Sequence, residues 1–227
     1  MNLFLKKSLR DFLILIIICE GEMKILNLYS GIGGNRKLWG DEHNITAVEY
    51  DKNIAAVYKS YFPDDNIVVG DAHEYLLKNY KDYDFIWSSP PCTTHSRLRF
   101  LSKDVVYPDM KLYQEIILLK TWFKGLFVVE NVIPYYDTLI KPDFELHRHY
   151  LWSNFYIGKK EFKVLHTGRK LKEKDFLEKE FDYNLDNFTG IDKRKVLRNC
   201  VVPEMGLYIL NCALNIKSEK ENNLFNM

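Results

Sequence analysis

The sequence predicts a doubly wound α/β fold with a mostly parallel sheet. Two observations carry this. Short apolar runs rich in β-formers alternate with segments of helical periodicity from Lys24 to about Ile157. The residues able to do chemistry stand immediately after those runs, where open α/β sheets bind ligands. The length of 227 residues and 47% hydrophobic content support one substantial core with a small appendage. A net charge of +1 means that any nucleic-acid surface must come from local clustering.

Lys24-Ile25-Leu26-Asn27-Leu28-Tyr29 reads as the first buried strand, followed by Ser30-Gly31-Ile32-Gly33-Gly34-Asn35 and then a short helix. Glycines at a strand-to-helix turn let backbone amides approach a ligand. The spacing falls short of the full dinucleotide fingerprint, and such a turn alone is more often only a tight turn. Ile45-Thr46-Ala47-Val48 is the second strand and ends in Glu49, eighteen residues after Gly31. An acid at that offset hydrogen-bonds ribose hydroxyls in nucleotide-binding sheets. Asp51 to Tyr61 reads as a helix with Asp51 as its N-cap. Asn66-Ile67-Val68-Val69 is the third strand, with Gly70-Asp71 at its end. A Gly-rich turn and two acids at three successive strand ends favour an adenosine-type ligand. The chain has no GxxxxGK[ST] loop, which argues against a nucleoside triphosphate.

Tyr83-Asp84-Phe85-Ile86 leads into Trp87-Ser88-Ser89-Pro90-Pro91-Cys92-Thr93-Thr94-His95-Ser96. Two prolines end the strand and hold Cys92 on a stiff turn. A cysteine there is placed for attack; a buried structural cysteine is the competing reading. Arg97, Arg99 and Lys103 follow on a loop, either solvated or touching phosphate. Asp109 to Phe123 carries a helical pattern of Leu112, Ile116, Leu119 and Trp122. Leu126-Phe127-Val128-Val129 is the fifth strand, ending in Glu130-Asn131-Val132. A thiol and a carboxylate at adjacent strand ends can attack and protonate one ring. Arg148 to Ile157 reads as another strand, with His147 and His149 two apart on one strand face. No third ligand stands near them, so no metal is expected.

From Gly158 to Arg198 the character changes. This stretch holds 12 Lys+Arg against 8 Asp+Glu, with Phe162, Phe176, Phe181, Tyr183 and Phe188 interleaved and no clear strand–helix alternation. It reads as a small insertion carrying basic surface, with a solvated irregular segment as the alternative. Arg198-Asn199-Cys200-Val201-Val202-Pro203 then leads a final helix over about 204–214. The division is therefore 1–22 as an N-terminal extension, 23–157 as the main domain, 158–197 as the insertion, 198–217 as a return to the main domain and 218–227 as a frayed tail.

The apolar run from Phe12 to Cys19 is far short of the ~20 residues that span a bilayer. Asp11 interrupts the approach to it and no small-residue cleavage site follows. Glu20-Gly21-Glu22 requires purine-rich codons directly before Met23, so Met23 is read as the natural start. The four cysteines, Cys19, Cys92, Cys200 and Cys212, form no CxxC pair. That pattern fits a reducing, cytoplasmic setting. No dimerising heptads occur, so a monomer is the default and no membrane partner is expected.

Together these residues resemble the cytosine-C5 DNA methyltransferase family, in its compact, solitary bacterial or bacteriophage form. Leu28-Tyr29-Ser30-Gly31-Ile32-Gly33-Gly34 is similar to the family's first cofactor motif. Glu49 and Asp71 match the acids that contact the ribose and adenine of S-adenosylmethionine. Pro91-Cys92, with Pro90 before it, matches the catalytic Pro-Cys, and Ser96 falls where the family has a serine. Glu130-Asn131-Val132 matches Glu-Asn-Val. Arg148 resembles an arginine of the Gln-x-Arg-x-Arg strand, and Asn199-Cys200-Val201-Val202-Pro203 resembles the late Gly-Asn-x-Val motif. The departures are Thr93 in place of glutamine, Leu146 in place of the other arginine and Arg198 in place of glycine.

The resemblance implies a Rossmann-like S-adenosylmethionine-dependent enzyme acting on double-stranded DNA with a flipped-out cytosine. It implies Cys92 as nucleophile and Glu130 at the ring N3, with Pro91, Asn131 and Arg148 beside them. It implies an electropositive site that lowers the Cys92 thiol, Arg148 contributing. Ser96, Arg97, Arg99, Arg169, Lys170, Arg194 and Lys195 are the candidate DNA contacts. Two other readings remain at this point: an RNA (tRNA) cytosine-C5 methyltransferase, and a catalytically weak DNA-binding protein on the same scaffold.

Overall fold

The computed structural model describes residues 22–97, 99, 106–162 and 173–215. Lys103, Arg169 and Lys170, the extension up to residue 21 and the tail from 216 lie outside the described residues. A seven-stranded sheet is formed by β1 (Lys24–Leu28), β2 (Asn44–Glu49), β3 (Asn66–Val69), β4 (Phe85–Ser88), β5 (Leu126–Val132), β6 (Phe144–Leu146) and β7 (His149–Ser153), in the order β3-β2-β1-β4-β5-β7-β6. The first five strands are parallel; β7 runs antiparallel to β5, and β6 antiparallel to β7. The helices are α1 (Lys52–Tyr61), α2 (Ala72–Asn79), α3 (Lys111–Trp122), α4 (Glu173–Phe181), α5 (Lys193–Arg198) and α6 (Pro203–Ala213). Among the described residues no helix is long and apolar enough to cross a membrane.

Both faces of the sheet are covered, which is why β1, β4 and β5 read as continuous apolar runs. Leu26, Ile86, Phe127 and Val129 pack with Leu76 of α2 and Leu112, Ile116 and Leu119 of α3. Their neighbours Ile25, Phe85, Trp87 and Val128 pack on the opposite face with Met205, Ile209 and Leu210 of α6. The alternation is the period-two geometry of a strand. α1 packs Tyr58 against Ala47.

Four elements differ from the sequence expectation. Between β1 and β2 the expected short helix after Asn35 is replaced by turns, with no helix over residues 29–43. The helix Ala72–Asn79 has no counterpart in the expectation; Asp71 caps this helix, accepting from the His73 and Glu74 amides. The expected strand from Arg148 is a hairpin: His147 and Arg148 form the turn between β6 and β7, with His147 at φ +56°. His147 and His149 therefore do not share a strand face. The fourth difference is in the expected insertion, whose described residues from 173 onward hold two packed helices, α4 and α5. Leu177, Phe181, Tyr183, Leu185, Val196 and Leu197 close a core over Ile32 and Val57, with Phe176 and Phe188 partly buried against it. The interleaved aromatics there serve packing, and their partners come from the first third of the chain.

Candidate active site

The carboxyl ends of β1 to β5 open into one cavity of about 560 Å³, within the range of small-molecule sites. Its walls are Tyr29, Ser30, Gly31, Gly34, Glu49, Asp71, Pro90, Pro91, Cys92, Glu130, Asn131, Arg148, Lys195, Asn199, Cys200 and Val201, among others. Nearly all the residues assigned from sequence to cofactor and chemistry thus meet in one place.

The cofactor side is built from backbone. Tyr29 leaves β1 in the left-handed region at φ +56° and Gly31 follows at φ +55°. The Gly31 amide donates to Glu49 Oε2 at 3.0 Å, and the Asp51 amide donates to Oε1 at 2.9 Å. Burial pushes the Glu49 carboxyl up, and these amides oppose it. Asp71 accepts from its two capping amides and from Lys111 Nζ at 3.2 Å. Burial raises the Asp71 carboxyl, but the Glu74 amide and Lys111 outweigh it and hold the group below its ordinary value. Gly34 is packed so closely that a Cβ there would stand 2.6 Å from the Val201 carbonyl oxygen; that approach joins the first turn to the late Asn199–Val202 segment. Cys200 is a structural thiol, pushed up to about 12 by burial. Gly33 does not line the cavity. At φ +86°, its missing Cβ makes room for the Phe62 ring.

These residues fit a nucleoside cofactor. Space over Gly31 is open, a Cβ there meeting nothing within 4 Å. Ser30 Oγ is buried on the same wall with no protein partner. Two carboxylates, Glu49 and Asp71, line the same cavity. Tyr50, exposed next to Glu49, adds an aromatic ring to the rim that the sequence reading passed over.

On the other side, Pro90 and Pro91 deliver Cys92 into a single turn of 3₁₀ helix, Cys92–Thr94. The Cys92 carbonyl accepts from the His95 and Ser96 amides at 3.0 and 2.9 Å. Asn131 Nδ2 donates to the Pro90 carbonyl at 2.9 Å, so Asn131 acts by fastening the cysteine turn to β5. The thiol is pushed up, first by burial and then by the negative charge of Glu130. This overturns the expectation of an electropositive pocket: Arg148 is exposed on the hairpin turn, and the charge felt by the sulfur is the carboxylate's. The group beside Glu130 is His149, with Nε2 3.5 Å from Oε1. The β5–β7 pairing, Val132 opposite His149 and Glu130 opposite Leu151, brings it there. The alternation of His147 and His149 in sequence was the available signal.

The candidate DNA contacts are dispersed. Ser96 bridges to Pro134, and Arg97 Nε donates weakly to the Pro134 carbonyl at 3.4 Å. Arg97 lines a second cavity, of about 440 Å³, with Tyr135, Tyr136 and Tyr150. The Arg99 amide donates to the Ser96 carbonyl. Arg194 lies 3.9 Å from Glu173, and Arg198, the residue in place of glycine, forms two bonds to the same carboxylate at 2.8 and 2.7 Å. Lys195 is on the rim of the main cavity and not on a separate basic face. Among the described residues no group of three or more His, Cys, Asp or Glu could hold a metal ion.

The family model for C-5 cytosine-specific DNA methylase matches residues 23–145. The type II methyltransferase M.Bsp6I of Bacillus sp. (strain RFL6) is 31% identical over 77 residues, 33% of this chain and 24% of that protein. The chain therefore matches about a quarter of the length of this curated relative. Among solved structures, a DNMT2 mutant from Spodoptera frugiperda aligns at 30% identity over 48% of this chain and 35% of that one, with a TM-score of 0.35. A SAM-dependent methyltransferase from Agrobacterium tumefaciens aligns at 14% identity over 58% and 45%, with a TM-score of 0.38.

Proposed function

Because this chain belongs to the C-5 cytosine-specific DNA methylase family, we propose that it transfers a methyl group from S-adenosylmethionine to C5 of a cytosine extruded from double-stranded DNA. One observation carries the proposal: Cys92 and Glu130 face the same cavity as the Gly31–Glu49–Asp71 cradle. When bound, S-adenosylmethionine supplies an electrophilic methyl group.

Cytosine C5 is a weak nucleophile and must first be activated. The Cys92 sulfur adds to C6, forming the S–C6 bond, while a protonated Glu130 hydrogen-bonds or donates to N3 and stabilises the charge as aromaticity is lost. C5 then carries enamine character and takes the methyl as the donor's S–CH3 bond breaks, leaving a thioether. The C5 proton passes to water, N3 returns its proton to Glu130, and the S–C6 bond breaks with its electron pair going back to sulfur, which releases 5-methylcytosine and restores Cys92. Burial is the larger cause of the rise of the Cys92 thiol and the Glu130 carboxylate the second, so a bond from Glu130 to N3 relieves only the smaller part of it. Asn131 keeps the cysteine turn in register, and His149 stands where it can orient the Glu130 carboxyl. Extruding the base costs a few kcal/mol, roughly, offset by pocket and phosphate contacts.

The test is transfer of labelled methyl to unmethylated plasmid DNA, with Cys92→Ala and a tRNA substrate in parallel. Label in the plasmid, reduced at least about a thousandfold in Cys92→Ala, supports the reading. Label in tRNA alone moves the substrate to RNA. Cofactor binding without label in either substrate supports the non-catalytic alternative.

A further inference from the structure

One buried acid takes no part in the chemistry above. Glu115 interrupts the apolar stripe of α3 between Leu112 and Ile116 and has no exposed surface. Its Oε1 accepts from Tyr29 OH at 2.6 Å and lies 3.0 Å from His73 Nδ1. Its Oε2 accepts from Ser88 Oγ at 2.5 Å. A carboxylate so buried is tolerated only when its oxygens are fully bonded, and here three side chains do this.

The three partners come from three strand ends. Tyr29 follows β1 and precedes Ser30 and Gly31. His73 is in the first turn of α2, and its amide donates to Asp71 Oδ1 at 2.8 Å. Ser88 ends β4, two residues before Pro90, whose carbonyl Asn131 holds. Neither Glu115, His73 nor Ser88 lines the cavity; each lies one layer behind a residue that does. Tyr29 also holds a left-handed backbone that non-glycine residues adopt only under constraint. The phenol of this same residue is the one tied to Glu115.

We propose that Glu115 is the positioning residue of the site, setting the cofactor cradle through Tyr29 and His73 and the cysteine turn through Ser88. The proposal rests on the S-adenosylmethionine reading above. Its two arms separate in kinetics. The Tyr29 arm acts on cofactor affinity, and the Ser88 arm acts on turnover.

The experiment measures S-adenosylmethionine binding by titration calorimetry, together with kcat at saturating cofactor, on the full chain. Tyr29→Phe raises Kd about five- to tenfold with kcat within about twofold of wild type. Ser88→Ala lowers kcat about threefold or more with Kd within about twofold. Glu115→Gln moves both, and combining it with Tyr29→Phe raises Kd no further, because one bond is lost only once. Should Glu115→Gln not fold, the two hydroxyl deletions still decide. A lower Tm in these variants with Kd and kcat unmoved makes Glu115 merely structural and overturns the proposal alone. Wild-type protein that does not bind S-adenosylmethionine overturns the functional reading and this proposal with it.

Discussion

The two walls of the cavity are built on opposite principles. On the cofactor wall the charged groups already have partners: Glu49 accepts from two amides, and Asp71 from two amides and Lys111. On the wall that holds Cys92 the bonding is partial: among the described residues Glu130 has only His149 beside it, at 3.5 Å. Glu130 pushes the Cys92 thiol up, and His149 Nδ1 and His95 Nε2 are buried without a protein partner. Charged groups already bonded within the protein hold their positions before a ligand arrives, with Ser30 Oγ left over for one. Groups with incomplete bonding have preferred states that depend on one another.

The sharpest way to break this contrast is at Glu130. Glu130→Gln removes the negative charge beside the sulfur. Methyl transfer falls about a hundred- to ten-thousandfold, yet alkylation of Cys92 by iodoacetamide at fixed pH becomes faster. The sign follows from the carboxylate raising the thiol: without it, more thiolate is present at any given pH. In wild type the alkylation midpoint lies above the ordinary value of about 8.5. Mass spectrometry of the labelled Cys92 peptide against pH checks both statements, and a wild-type midpoint below that value refutes the account of the Cys92 wall.

The cofactor wall is tested at Gly34. A Cβ there meets the Val201 carbonyl at 2.6 Å and Cys200 Cβ at 2.8 Å, so Gly34→Ala pushes the two turns apart. Overpacking of this kind costs about 1–3 kcal/mol. S-adenosylmethionine affinity drops about tenfold or more, while Cys92 alkylation is unchanged. If alkylation changes as well, the two walls are not separable.

Asn131→Ala lies between the walls. It releases the Pro90 carbonyl and loosens the cysteine turn. Turnover falls about tenfold with cofactor Kd unaltered, measured by single-turnover transfer and titration calorimetry.

The smallest effect is a pH dependence of stability. The bond to Glu115 raises the His73 imidazole above its ordinary value, against the opposing effect of burial. A raised imidazole contributes stability that is complete below the unfolded value of about 6.5 and is lost as pH rises through the folded one. His73→Asn therefore narrows the Tm difference between mildly acidic and mildly alkaline buffer, readable by calorimetric scanning.

Much of the site was legible because strand ends are local features. An apolar run stops, and the residue after it lies at the sheet edge, as Gly31, Glu49, Asp71, Cys92 and Glu130 do. What escaped depends on pairing between distant segments. Arg148 and His149 are adjacent in sequence, and only the register of β7 against β5 decides that His149 is the one beside Glu130. Phe181 and Tyr183 read as aromatic residues in a basic insertion because Ile32 and Val57, which bury them, are more than a hundred residues earlier. The rise of the thiol escaped for a related reason: the burial of Cys92, its largest cause, is a property of the assembled cavity, although adjacent strand ends already placed Glu130 nearby. Asp71 was recognised as a ligand-side acid but not as the cap of α2, since one side chain serves both purposes.

The join between Gly34 and Val201, with Gly206 set tightly against the Asn35 backbone, also orders events in time. Synthesis runs from the amino end, so Cys92 and Glu130 emerge well before residues 199–206 arrive to complete the wall around Gly34. A chain interrupted before that point contains both side chains but lacks one side of the cavity they face. Closure of the cavity therefore waits for a segment more than a hundred residues after Cys92 to fold back on the first turn.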